Sequence, residues 1–308
     1  MRATRARFWI VAGVLGALLM GEVALRVLEP SIPAPSPWPS IETQVKSAQL
    51  ATLSQDLEVL LLGSSVTEAA VDPELLTKLT SGGVSYNSAM PFSTPLSNEL
   101  WLDKVVLKHF SPSIVVFGIP VWPPHSTTET DVLRPGIEEA TSLSTTSVIR
   151  GFLALTRNKG VLADWDERWV GFGLRSSDLW TDLGHLSGFY DVPPELRMGH
   201  SLAFGQPSMS DDNIEALQRT AGTLEQAGIQ MVMMIEPGHF PGDVSDLDLS
   251  IYLESIRDLG RDLKVPVWDT YSVGWNPEYF VDGAHFNREG TVSFTSYLAD
   301  LINEMVER

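Results

Sequence analysis

Cysteine is absent from the 308 residues. Disulfide frameworks, thiolate-ligated zinc, iron–sulfur clusters and thiol nucleophiles are therefore excluded together. Positive charge is also scarce: 21 Lys and Arg stand against 39 Asp and Glu, a formal net charge of −18. So acidic a chain offers no broad electrostatic surface to nucleic acid or to anionic lipid, and nucleic acid is not among the expected partners. Apolar residues are plentiful, at 44%, which is enough for a sizeable core in one or two domains. The chain shows no internal repeat and no run of like charge.

The first seven residues carry Arg2, Arg5 and Arg7, and the fourteen from Phe8 to Gly21 carry no charge. Apolar character resumes after Glu22 through Leu28, which brings the segment to about the 20 residues a bilayer requires. Residues 1–29 thus read as an uncleaved signal anchor: residues 8–28 span the bilayer, the N-terminus stays inside and the remainder is extracytoplasmic. A cleaved signal peptide followed by secretion is the competing reading, but no convincing small-residue cleavage site follows the apolar stretch. Glu22 and Arg26 lie four apart on one helical face, where they can pair. Residues 30–40 hold five prolines between Pro30 and Pro39 and read as a polyproline spacer. Residues 1–29 contain four arginines and two glutamates, so the remainder has 17 basic against 37 acidic side chains, a formal −20.

Residues 41–308 show strands alternating with helices. Leu57–Leu62 is an apolar run of the kind buried on both faces of a parallel sheet. Asp72 and Pro73 open a helix to about Leu79, with Asp at the cap and Pro at the first helical position. Val84–Asn87 is a second strand, Pro95–Phe110 a helix and Ile114–Phe117 a third strand. Asp211–Ala227 is a helix closed by Gly228, followed by the strand Ile229–Ile235. Ile251–Leu263, Val265–Trp268 and Asn287–Val306 complete the series as helix, strand and helix. This alternation predicts an α/β fold, a five-stranded parallel sheet with helices on both faces. From about 123 to 210 the pattern dissolves into a segment too long for a plain connection, with Trp165, Trp169, Phe172, Trp180, Phe189 and Tyr190 among Gly, Ser and Thr. It reads as an inserted lid or cap whose aromatics form either a small core or a wall over the site.

Two strings carry the chemistry. Strand one runs into Gly63-Ser64-Ser65-Val66-Thr67-Glu68, and in an open parallel sheet the carboxyl ends of strands border the ligand crevice. Alone, such a string is a weak motif and reads first as turn and helix-cap chemistry for Ser64 or Ser65. The second string, Asp282-Gly283-Ala284-His285-Phe286-Asn287, lies after the fifth strand and before the last helix, on the same edge. A carboxylate three residues before an imidazole in a turn can fix its tautomer and hold it for a serine from strand one. His239, after the fourth strand, falls on that edge too and is a candidate lining residue, with Trp122 after the third strand. His109, at a helix end, reads as a favourable C-terminal cation. No His-x-x-x-His or His-x-x-Glu spacing calls for a metal.

Together the strings resemble the SGNH or GDSL superfamily of serine esterases and acyltransferases, whose first block is G-D-S-x-(S/T) and whose last is D-x-x-H before the final helix. On that resemblance Ser65 matches the nucleophile, Ser64 replaces the Asp, and Asp282 and His285 match the orienter and base. The resemblance implies a flavodoxin-like three-layer sandwich over 41–308. A family loop N-x-(G/A)-x-x-G, which lends a backbone amide to the oxyanion hole, is similar to Asn87-Ser88-Ala89-Met90-Pro91-Phe92, with Phe92 in place of the glycine. The implied oxyanion group is Ser65, Asn87 and Phe92. The family's G-x-N-D block is replaced by Gly118-Ile119-Pro120-Val121, so no asparagine side chain stands there, and the loss of one such donor costs about a hundred- to a thousandfold in rate.

The expected activity is that of a membrane-anchored extracytoplasmic serine esterase on carboxylic esters, with no cofactor and no metal. One alternative is an O-acyltransferase of exported or surface polysaccharide. The other is a non-catalytic binding or scaffold protein on an inherited fold. The implied partners are an ester or acylated glycan and, through residues 8–28, the lipid bilayer.

Overall fold

The computed structural model describes residues 2–28, 39–53, 56–80, 83–121, 133, 137, 183–185, 209–239 and 246–307. Helix α1 (Arg2–Leu28) runs unbroken. Arg26 donates to Glu22 at 2.7 Å, the pair expected from the spacing. The apolar side chains Val14, Leu15, Leu18, Leu19, Met20, Val23 and Val27 are all exposed. Among the described residues no helix is long and apolar enough to cross a membrane. The side chains of Phe8–Val11, the start of the segment read as a span, lie outside the described residues, as does the spacer from 29 to 38.

Helix α2 (Pro39–Thr52) begins inside the stretch read as spacer. It is followed by β1 (Leu57–Leu62), α3 (Ser65–Ala70), α4 (Pro73–Leu79) and β2 (Val84–Asn87). Asp72 caps α4 by accepting from the N–H groups of Glu74 and Leu75, as its sequence predicts. The helix expected over Pro95–Phe110 is shorter: α5 (Pro95–Trp101) passes into a π turn at Leu102–Val106. Then come β3 (Ile114–Ile119), α6 (Asp211–Gln226), β4 (Gln230–Ile235), α7 (Asp246–Leu263), β5 (Val267–Asp269), a 3₁₀ turn (Pro277–Tyr279) and α8 (Arg288–Val306). Helix α7 starts five residues before the expected Ile251. Strand β5 starts two residues after the expected Val265, because Lys264 takes φ +56 and the chain is still leaving α7 there.

The strands form one parallel sheet in the order β2-β1-β3-β4-β5, the flavodoxin-like arrangement. Its central strands are apolar but for Glu58, Gly118 and Gln230, and the period of two divides them between two cores. Leu60 and Leu62 of β1, Val115 and Phe117 of β3, and Met231 and Met233 of β4 pack on Trp101, Leu217, Leu224 and Ile256 of α5, α6 and α7. Val59 and Leu61, Val116 and Met234 pack on Leu76, Phe294, Leu298 and Ile302 of α4 and α8. Each fully buried Leu or Phe contributes about 1.5–3 kcal/mol, so both helical layers are held by the same strands. All five carboxyl ends open on one edge.

Candidate active site

At that edge β1 ends in Gly63, whose φ of +152 suits only glycine; an added Cβ would lie 2.5 Å from Thr67 Oγ1 and 2.8 Å from Glu236 Oε1. Ser64 follows as the N-cap of α3 and accepts from Val66 N–H at 3.2 Å. Ser65 is the first helical residue, and its N–H has no acceptor within the helix.

The other half comes from the turn before α8. Phe280 and Phe286 form an antiparallel bridge, and Val281 N–H donates to His285 O at 2.8 Å. Asn287 donates its side-chain amide to Glu278 O and accepts from Gly290 N–H, which starts the helix. Inside this closed turn Asp282 Oδ1 accepts from the N–H groups of Ala284 and His285 at 2.8 and 2.7 Å, and Oδ2 lies 2.8 Å from His285 Nδ1. Nε2 of the same ring lies 2.8 Å from Ser65 Oγ, 220 positions away in sequence. With Nδ1 facing a carboxylate, Nδ1 carries the proton and Nε2 accepts from the serine hydroxyl.

The electrostatics follow these contacts. Burial acts to raise Asp282, but the His285 charge, its ring hydrogen bond and the two backbone donors prevail and hold the carboxyl at about 2. Burial acts to lower His285, and the carboxylates of Asp282, Glu236 and Glu68 prevail, raising it above its usual 6.5.

The loop after β2 is sewn to the Gly63 turn. Ser88 N–H donates to Leu61 O at 2.8 Å and Met90 N–H to Gly63 O at 3.1 Å, and Ser93 Oγ also donates to Gly63 O. Phe92 holds φ +59 and is exposed, so phenylalanine takes the left-handed geometry that favours glycine. Asn87 departs from its expected oxyanion role: its backbone N–H donates to Leu183 O, and its side-chain amide donates to Thr67 O, Glu68 O and Val71 O. Fully buried, it ties β2 to α3 and has no donor left for a substrate. At the end of β3, Pro120 has no N–H, and its carbonyl accepts from Tyr252 Oη at 2.9 Å.

His239 lies beside the Asp282 turn. Its N–H donates to Gly283 O at 2.8 Å, and its ring stacks on Phe280 at 6.1 Å between centroids. Trp122, His125, His200 and nearly all of the 123–210 insert, its aromatics included, lie outside the described residues. Of that insert His185 is described: it is fully buried, faces Ala69 O at 3.2 Å, and is lowered by burial to about 4. Among the described residues no group of three or more His, Asp or Glu side chains could hold a metal ion.

Two buried carboxylate sites escaped the sequence reading. Glu236, directly after β4, accepts from Ser64 N–H at 2.8 Å, Ser64 Oγ at 2.6 Å and Thr67 Oγ1 at 2.6 Å. Its one sequence signal is a charged residue closing an apolar strand at the crevice edge. Beneath α3, Lys46 Nζ of α2 lies within 3.0 Å of the carbonyl oxygens of Asn87, Ala89 and Gly184, 3.1 Å from Glu68 Oε1 and 3.7 Å from Glu42 Oε1. Burial and the Glu68 charge push Glu42 well above the carboxylate range despite Lys46. Of the two carboxylates Glu68 is the closer partner of Lys46.

No protein-family model and no curated protein sequence matches the chain. Solved structures similar to it include a GDSL-like lipase from Bacteroides thetaiotaomicron (14% identity, TM-score 0.47, covering 87% of this chain and 99% of that one). An acetyl xylan esterase is similar at 15% identity and TM-score 0.42, covering 81% of this chain and 100% of that one. A catalytic mutant of an acetylxylan esterase from Geobacillus stearothermophilus is similar at 10% identity and TM-score 0.42, covering 80% and 93%.

Proposed function

We propose that this chain is a serine enzyme acting on carboxylic esters. Ser65 Oγ attacks the ester carbonyl carbon while His285 Nε2 takes its proton, and the imidazolium is stabilised by Asp282. The same proton passes to the leaving alcohol, which departs and leaves an acyl group on Ser65. Water, activated by His285, then releases the acid. The amide N–H groups of Ser65 and Phe92 receive the oxyanion, and Pro120 contributes no donor. The observation that carries this reading is the 2.8 Å approach of Ser65 Oγ to His285 Nε2.

The test is active-site labelling of the full-length protein with a fluorophosphonate, with the modified residue mapped by mass spectrometry. Ser65 is the expected adduct, and Ser65→Ala abolishes labelling and removes short-chain p-nitrophenyl ester turnover by at least about a thousandfold. No adduct overturns the assignment and favours a non-catalytic chain on this fold, and an adduct on Ser64 overturns it by moving the nucleophile one residue.

A second reading passes the acyl group to a sugar hydroxyl in place of water, making the chain an O-acyltransferase. The absent donor at Pro120 slows acylation and deacylation alike, whichever acceptor takes the acyl group. Turnover that rises with an added carbohydrate acceptor identifies the transferase. We also assign residues 8–28 to a bilayer, with the α/β domain extracytoplasmic; the support is the row of exposed apolar side chains on α1 from Val14 to Val27. Retention of the protein in membranes after alkaline carbonate washing is the expected result, and release into the supernatant refutes it.

A further inference from the structure

We propose that Glu236 is a positioning residue for the nucleophile, holding the turn that carries Ser65 from beneath. The proposal rests on the reading of Ser65 given above.

The hydrogen bonds of Glu236 go to the neighbours of Ser65 and not to Ser65 itself. Its carboxylate accepts from the backbone and hydroxyl of Ser64 on one side and from the hydroxyl of Thr67 on the other. Ser64 Oγ accepts in turn from Val66 N–H, so its own hydrogen is committed to Glu236 Oε2. Positions 64, 66 and 67 are thereby referred to one rigid point at the end of β4, and Ser65 lies between them. The direction of its Oγ toward His285 is set by that frame.

The fold has been shaped around this contact. A Cβ at Gly63 would lie 2.8 Å from Glu236 Oε1, and one at Gly118, next to last in β3, 2.7 Å from the same atom and 2.2 Å from Thr67 Oγ1. Two neighbouring strands have given up side chains where the carboxylate sits. Glu236 is fully buried, and burial pushes its carboxyl above the ordinary value against the pull of its donors. An apolar side chain of the same volume would close the sheet edge without that cost, so the carboxylate does work there that packing does not explain.

Its charge also reaches the imidazole. The carboxylates facing His285 are Asp282 from its own turn, Glu236 from the end of β4 and Glu68 from α3, and all three favour the protonated ring.

The experiment uses full-length Glu236→Gln, which keeps the shape but puts an amide against the Ser64 and Thr67 hydroxyls, and full-length Thr67→Val, which keeps the packing but deletes one donor. Glu236→Gln is expected to lower kcat about tenfold to a hundredfold at unchanged KM, to slow fluorophosphonate labelling of Ser65 in proportion, and to move the acid limb of the kcat/KM profile to lower pH. Thr67→Val is expected to slow labelling severalfold. Wild-type labelling rates and an unmoved acid limb in the folded variants overturn the proposal while the Ser65 reading stands. Loss of the fold in both variants assigns Glu236 to stability alone and also overturns it. An unlabelled wild-type Ser65 brings down the reading and the proposal together.

Discussion

The ammonium of Lys46 lies 2.5 Å from the carbonyl oxygen of Ala89, with no part of its side chain exposed. It joins α2 to the loop that follows β2 and, through Glu68, to the helix that begins at Ser65. Lys46→Met leaves a buried Glu68 carboxylate and three carbonyl oxygens without their cation, and removal of one partner of a buried pair costs about 3–5 kcal/mol. Urea unfolding is expected to show a loss of that size. A change under about 1 kcal/mol would mean that the cluster is solvated in solution.

On the proposed mechanism Asp282 and His285 set the pH response. A base must be neutral, so kcat/KM rises as pH climbs through the raised pKa of His285, and its midpoint is expected above 6.5. Asp282→Asn removes the largest support of the imidazolium, so the midpoint is expected to fall and the rate to drop by about 10⁴. A rate–pH profile measured on both proteins decides this, and an unmoved midpoint counts against the pair.

Stability carries the same signature with two signs. The pKa of Asp282 falls from 3.8 to about 2 on folding, so it contributes about 2 kcal/mol above 3.8, lost as pH falls toward 2. The pKa of His285 rises on folding, so its contribution is complete below 6.5 and is lost as pH rises through the folded value. Denaturant midpoints across pH 2–9 should show a shallower acid decline for Asp282→Asn than for the native chain.

Phe92 sits at φ +59 and is 58% exposed. Glycine relieves a left-handed backbone that costs a non-glycine residue about 1–2 kcal/mol and sacrifices little packing. Phe92→Gly is expected to raise unfolding stability by about 1 kcal/mol while labelling at Ser65 continues. A clear loss of stability would show that the ring packs on a surface of its own.

Gly118→Ala tests the opposite case, an interior with no room. The new methyl meets Thr67 Oγ1 and Glu236 Oε1 at once, and overpacking of this kind costs about 1–3 kcal/mol. Thermal unfolding should register it, accompanied by slower labelling of Ser65.

The sheet could be read from the sequence because its strands are short apolar runs between capped helices, as at Asp72-Pro73 and Gly228. The two strings that meet at Ser65 and His285 could be read because each lies beyond a strand on the carboxyl edge. Helix α2 could not be: its first residues continue the proline run, and its inward polar residues Glu42, Lys46 and Ser47 look like a solvated face. Glu236 was hidden for the same reason. A single acid after Ile235 looks like the start of a surface turn, and its partners Ser64 and Thr67 lie about 170 positions away. The inside or outside of a charged side chain is settled by what folds onto it, and period-two or period-3.6 patterns hold no record of that. Asn87 shows the converse: in a loop that resembles an oxyanion motif, its amide was already committed to the carbonyls of α3.

Helix α8 is fastened to the front of the domain by Thr291, whose hydroxyl donates to Ala69 O at 2.9 Å, and by Thr295, which accepts from Asp72 N–H at 3.0 Å. Because α8 follows directly on the turn that holds His285, these two hydroxyls also tether the imidazole to α3 and α4, and any sliding of the helix would carry the ring with it.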